Sequence, residues 1–254
     1  MKIKALIVMT MTAAALLLPS CGKQPDKTSD ANVNEPVEFG ANITVSDSYA
    51  FRENDGRLYL WDLKTNSYEI FCTQPDCKHQ TAAENADTKC SAVAPKEGYF
   101  YNYAFLYNDT LYSICTGELN EFLIYTADTD GMNRKLAFTA ELSLCTMVNP
   151  VLDGGRLFFV GSEFEMNDTD SVGLRENYSL CSVDLSDFSF EKYMDIGTAN
   201  ETVIGKKSLL LYKNKIYFQH SEYSENSVHS AVECYDIDLS LIHISEPTRH
   251  SLIS

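Results

Sequence analysis

Leu106-Tyr107-Asn108-Asp109-Thr110-Leu111-Tyr112 is the stretch on which the reading of this chain turns. Two apolar and aromatic runs flank Asn108-Asp109, residues that enter the positive-φ conformations of a tight hairpin turn at little cost. The unit returns as Leu152-Asp153-Gly154-Gly155-Arg156-Leu157-Phe158, and again as Leu211-Tyr212-Lys213-Asn214-Lys215-Ile216-Tyr217. A second unit alternates with it: apolar, Tyr or Cys, any residue, apolar or small, Asp. Its copies are Leu58 to Asp62, Ile124 to Asp128, Leu180 to Asp184 and Cys234 to Asp238. Their terminal aspartates follow one another at 66, 56 and 54 residues. The first three copies run into polar turns, Lys64-Thr65-Asn66, Thr129-Asp130-Gly131 and Ser186-Asp187, and then into further strand-like runs such as Lys135-Leu136-Ala137-Phe138.

Aromatic and β-branched residues dominate these runs, and no 3.6-residue period extends past the first 20 residues. Repeats of this size, each holding about four short strands, are expected of a β-propeller. The fold class is therefore all-β: an incomplete propeller-like array of about four blades, truncated at the C-terminus. In that geometry the paired hairpin strands lie inside each blade, with the Asp-terminated strand and its successor outside. A β-sandwich is the alternative, but it would not repeat its turn-strand-Asp pattern in step. The turn aspartates Asp62, Asp128 and Asp184 are read as bonding their own backbone two residues on.

The two ends of the chain read differently from its body. Lys2 and Lys4 precede an apolar run from Ala5 to Leu18, and Leu18-Pro19-Ser20-Cys21 follows. A run of about 14 apolar residues is short for a membrane span and suits an export signal. Leu18 three residues before Cys21, with Ser20 directly before it, resembles the lipobox of bacterial lipoproteins. That resemblance implies cleavage after Ser20 and a diacylglycerol, with its fatty-acyl chains such as palmitate, on the Cys21 sulfur. Residues 21–36 hold Val33 as their single large apolar residue and read as a flexible polar tether. At the other end, Leu239 to Arg249 reads LSLIHISEPTR and resembles translated text of a transposon-based sequencing adapter. Residues 239–254 are accordingly read as a non-native tail and set outside the fold. The expected domains are a signal at 1–20, a tether at 21–36, a partial propeller at 37–238 and the tail.

Charge narrows the partners. The chain carries 20 basic and 36 acidic residues, a formal net charge of −16. With no Lys/Arg cluster, it lacks the basic footprint that phosphate backbones require, so no nucleic-acid partner is expected. Nor would such a surface settle on anionic lipid; the membrane contact is expected through the lipid on Cys21 alone.

One constellation could carry chemistry. Cys72, Cys77, His79 and Cys90 form a Cys₃His set, and soft thiolates with an imidazole suit tetrahedral zinc. The spacing is imperfect, with four residues between the first two cysteines and a tight Cys-x-His. A disulfide is the rival in an exported protein, and it needs a fourth cysteine from Cys115, Cys145, Cys181 or Cys234; free buried thiols are the third reading. In either cross-linked case the role is structural, pinning the polar excursion from Gln80 to Lys89. Cys181 and Cys234 read as small buried residues, and Tyr59, Tyr125 and Tyr235 as packing aromatics. His220 and His229 fall in a polar stretch, Gln219 to Ser230, read as a loop without a carboxylate-serine arrangement. Asp128-Thr129-Asp130-Gly131 lacks the third acid of a calcium loop and reads as a turn, and Asn167-Asp168-Thr169-Asp170 as a solvated loop. No catalytic site residues emerge: there is no nucleophile elbow, phosphate-binding glycine loop or paired carboxylate at a recognisable spacing.

In its lipobox, tether, Cys-x(4)-Cys-x-His segment and repeats, the chain resembles surface lipoproteins of gut clostridia and their relatives. Their repeats are similar to those of TolB-type and YWTD (low-density-lipoprotein-receptor-type) propellers. The resemblance implies a location at the bacterial cell membrane, lipid-anchored and facing the extracytoplasmic side, and it implies no reaction. The expected function is a membrane-tethered binding or scaffold lipoprotein whose propeller face meets an envelope protein, a peptide or a glycan. The alternative is a propeller enzyme of lyase or hydrolase class, with its site partly in sequence beyond this chain.

Overall fold

The computed structural model describes residues 37–236 except 86–87, 118–120, 167–173, 199–201, 214 and 225–226. The signal, Cys21, the tether, the Asn167 to Asp170 loop, Asp238 and the tail at 239–254 lie outside the described residues. Within them the protein is all-β, built from four antiparallel sheets arranged like the blades of a propeller. No helix among the described residues is long and apolar enough to cross a membrane.

Sheet 1 runs in the order β1 (Glu38–Gly40), β2 (Ile43–Val45), β3 (Tyr49–Asn54), β4 (Arg57–Asp62) and β5 (Ser67–Ile70). Sheet 2 is β6 (Phe100–Tyr107), β7 (Thr110–Thr116), β8 (Phe122–Ala127) and β9 (Lys135–Ala140). In sheet 3, β10 (Ser143–Leu144) and β11 (Val151–Asp153) both pair with β12 (Arg156–Met166), followed by β13 (Leu174–Asp184) and β14 (Phe190–Thr198). Sheet 4 is β15 (Thr202–Tyr212), β16 (Lys215–Ser224) and β17 (Ser227–Asp236).

The hairpin units fold as their turn chemistry dictates. Asn108 and Asp109 sit at φ 47° and 57°, and Gly154 and Gly155 at 55° and 84°, joining β6 to β7 and β11 to β12. Both central residues at positive φ give a type I′ turn, whose twist matches that of the strands. Inner strands of different sheets approach one another, β2 with β6, β11 with β15 and, between sheets 1 and 3, β1 with β11. The hairpins thus occupy the inner part of each blade and the Asp-terminated strands the outer part.

Alternation along the strands builds three interiors between the sheets. Phe51, Leu58, Leu106, Leu111 and Cys115 fill the space between sheets 1 and 2. Phe105, Ile114, Phe122, Leu157, Phe159 and Cys181 fill the next, with Phe122 and Phe159 stacked at 4.6 Å. Phe158, Val160, Leu180, Ile216 and Phe218 fill the third.

Register corrects one detail of the repeat. The closing aspartate faces the first residue of the hairpin's second strand: Asp62 faces Tyr49, Asp184 faces Arg156, and Asp236 faces Lys215. The fourth equivalent is therefore Asp236 rather than Asp238, because two acidic residues at the same parity made the alignment slide by one strand period. Asp62 accepts from the Lys64 and Thr65 amides at 2.9 and 2.8 Å, and Asp184 from the Ser186 amide at 2.9 Å. Asp128 instead accepts from the Asn133 side chain at 2.6 Å, while Asp130 takes the Met132 amide at 2.9 Å.

Candidate metal centre

The segment between β5 and β6 carries the cysteines, and its first residue is fixed by sheet 1. The Phe71 amide donates to Leu58 O at 2.9 Å, so the chain leaves β5 still bonded to β4. Cys72 follows at once, its amide on Ile70 O at 2.9 Å. Pro75-Asp76 then turns the chain, with Asp76 at φ 56° and the Cys77 amide donating to Gln74 O at 3.4 Å. Asp and His are among the side chains that tolerate this left-handed region, and His79 is there too, at φ 51°. Arg57 Nε holds His79 O at 3.2 Å. The excursion turns on Thr81 and Glu84, whose carboxylate accepts from the Thr81 amide at 2.8 Å. Gln74 Nε2 spans to Lys89 O at 2.7 Å and brings the end of the excursion back beside its start.

Cys90 is delivered at that closure. Beyond it the Leu58 amide donates to Ala92 O at 2.7 Å and Val93 bridges to Arg57, so the returning chain extends sheet 1. Sheet 2 grips the same stretch: Arg134 Nη1 donates to Val93 O at 2.7 Å, and Tyr101 Oη to Val93 O at 2.9 Å.

The four ligating atoms of Cys72, Cys77, His79 and Cys90 all lie within 4.8 Å of one another. His79 Nδ1 is 3.4 Å from Cys90 Sγ. Zn–S bonds of ~2.3 Å and Zn–N bonds of ~2.0–2.1 Å at tetrahedral angles set ligand atoms ~3.5–3.8 Å apart, so small movements would close the set on a metal. Cys90 is buried and the other three donors half-buried, and the three cysteines pack with Ile70, Ala92 and Val93. The Cys90 thiol hydrogen-bonds to Cys72 and holds the Cys72 pKa down at about 5, against burial, which pushes it up. Cys90 moves the opposite way, raised by that same bond and by burial. One sulfur of the pair is thus ready to bind a cation and the other must first lose its proton.

Each of the seven described cysteines is a free thiol. The candidates for a fourth disulfide partner are dispersed: Cys115 lies between sheets 1 and 2, Cys181 between sheets 2 and 3, Cys145 between sheets 3 and 4. Cys234 is on β17, and none of these four joins the cluster. A disulfide within the cluster would therefore pair two of Cys72, Cys77 and Cys90.

Other sequence candidates resolve into packing. Tyr59 stacks on Tyr68 at 5.0 Å, and Tyr125 and Tyr235 lean on the interiors either side. Gln219 to Ser230 is not a loop: it is the hairpin of β16 and β17. Its polar residues satisfy one another across the strands, as Ser221 does with Ser230 at 2.8 Å. His220 in that hairpin is buried against Phe218, with Nε2 3.2 Å from Glu233 Oε1 and Nδ1 without a partner. A carboxylate therefore does face a histidine here. The signal was the shared parity of Ile216, Phe218 and His220, which puts the ring on the buried face. His229 bonds Ser227 at 3.0 Å.

One cleft, of 280 Å³, opens where the ends of β7, β12 and β13 meet the segment after β10. Thr116, Ser143, Thr146, Ser162, Cys145 and Glu176 are among its walls, with Glu176 the sole carboxylate among its described lining residues.

No family model matches the chain, and no curated protein does. Among solved structures it is similar to a thermostable family-43 glycoside hydrolase at 8% identity and TM-score 0.39, covering 80% of this chain and 68% of that one. An oligogalacturonate lyase in complex with manganese matches at 12% identity and TM-score 0.36, over 73% of this chain and 54% of its own. A further glycoside hydrolase matches at 11% identity and TM-score 0.35, over 85% of this chain and 47% of its own. Likenesses this distant bear on no residue of the cluster or the cleft.

Proposed function

We propose that this chain is a membrane-tethered, extracytoplasmic binding or scaffold lipoprotein, anchored through lipid on Cys21, whose propeller-like body is clasped by a structural zinc. The anchor and location rest on the Leu18-Pro19-Ser20-Cys21 signal, and the structural role of the metal on the closed donor set: three thiols and an imidazole, all from the protein, fill the four tetrahedral positions and leave none for water or substrate. A zinc held this way contributes to folding and does not polarise a substrate. The donors also sit on the β5–β6 segment, which Arg134 ties to sheet 2 through Cys90 O and Val93 O, and none of them is among the lining residues of the 280 Å³ cleft. A rigid body on a polar tether is suited to presenting a face to an envelope protein, a peptide or a glycan.

The anchor is tested by expressing the protein and its Cys21→Ala variant in a bacterial host fed an alkyne-bearing fatty acid. The parent is expected to take up label in the membrane fraction and the variant to remain an unlabelled precursor. Equal labelling of the two would show that the lipid is not on Cys21.

A further inference from the structure

The outer face of sheet 4 repeats, position for position, the faces that sheets 1 to 3 bury against their successors. Register aligns Leu58 on β4, Ile124 on β8, Leu180 on β13 and Val232 on β17, four to the N-terminal side of each closing aspartate position. The first three are 1%, 0% and 0% exposed, whereas Val232 is 58% exposed. On the innermost strands the equivalent row is Thr44, Phe105, Val151 and Leu210. Thr44 and Phe105 are fully buried and Leu210 is 59% exposed. Tyr212 and Val228 extend the same exposed apolar face. The opposite face of sheet 4, with Leu209, Ile216 and Phe218, is fully engaged with sheet 3.

We infer that this face is an inter-blade surface whose occupant is a fifth antiparallel sheet of the same polypeptide. The order of the sheets in hand identifies the occupant. Each face of this kind is covered by the sheet that follows in sequence, through connections as short as Glu141-Leu142 between β9 and β10. Sheet 1 presents the complementary open end. Trp61 there aligns with Ala127, Val183 and Tyr235, which face the preceding sheet, and it is 40% exposed beside an exposed Tyr68. An array with apolar faces at both ends is an arc, and further sheets are what would carry it round from one end to the other.

Cys234, on the same face as Val232, supplies the readout. On the reading of residues 239–254 as a non-native tail, the chain cut after Asp238 and the same chain continued by the next repeat of its gene, if the gene encodes one, are each alkylated and Cys234 is followed by peptide mass spectrometry. Cys234 should react at least about tenfold more slowly in the extended chain, since burial under a stable element gates access by local opening. Val232→Asp should leave the melting temperature of the shorter chain unchanged and lower that of the longer one, while Leu180→Asp lowers both. Equal Cys234 reactivity in the two chains, or a native frame that continues without a fifth repeat, overturns the inference. Concentration-dependent protection of Cys234 in the shorter chain also overturns it, by assigning the face to a second copy.

Discussion

At the scale of single residues, Cys72 is the most chemically distinctive side chain of the described protein. Its pKa near 5 against an ordinary 9.0 means that folding favours the thiolate. The sign follows from linkage: stability from a depressed pKa is present in full above the unfolded value and is lost as pH falls from 9 through 5. Metal-free protein should therefore be alkylated at Cys72 already at pH 6 to 7, with a reactivity midpoint near 5. Cys115, deep between sheets 1 and 2 with its pKa raised by burial to about 12, should stay unreactive there. Peptide mass spectrometry after timed alkylation reads both. A Cys72 midpoint in the ordinary range near 9 would mean that the Cys72–Cys90 contact does not form. The four donors themselves were legible in sequence because their residue types announce soft-metal chemistry. Their convergence was not, since it depends on Gln74 reaching Lys89 and on two left-handed residues, Asp76 and His79, that no spacing rule names.

Among the elements, the turn after β8 connects the fold to the candidate metal site. Gly131 sits at φ 82°, and a Cβ there would come within 2.5 Å of Ser91 Cβ and 2.7 Å of the Phe71 ring. Ser91 follows Cys90 directly, so the turn of sheet 2 presses on the cysteine segment. Gly131→Ala should lower stability by about 1–2 kcal/mol from the left-handed backbone alone, with a further loss from the contact with Ser91. Thermal unfolding measures it, and an unchanged melting temperature would show that the turn is not seated on Ser91. Hairpins with Asn-Asp and Gly-Gly turns were readable because few residues accept positive φ. The β16–β17 hairpin was missed because its polar side chains bond across strands and mimic a loop's composition. The short inner strands β1 and β10 were missed because two or three residues carry no period.

The whole molecule is a run of sheets with interiors between them, and its all-β class and blade count follow from the interleaved repeats. What the repeats did not reveal is which faces are covered, since burial at Leu58, Ile124 and Leu180 and exposure at Val232 arise from neighbours, not from the residues themselves. The Cys₃His clasp is the central claim at this scale, since the segment it closes lies between sheet 1 and sheet 2. Metal content of the protein purified without added chelator or reductant tests it most directly, read together with melting temperature and non-reduced peptide mapping. The account predicts about one zinc per chain and a melting temperature lowered by a strong chelator but not by a mild reductant. Substoichiometric metal, with Cys72, Cys77 or Cys90 found in disulfide-linked peptides and destabilisation by reductant, would contradict it.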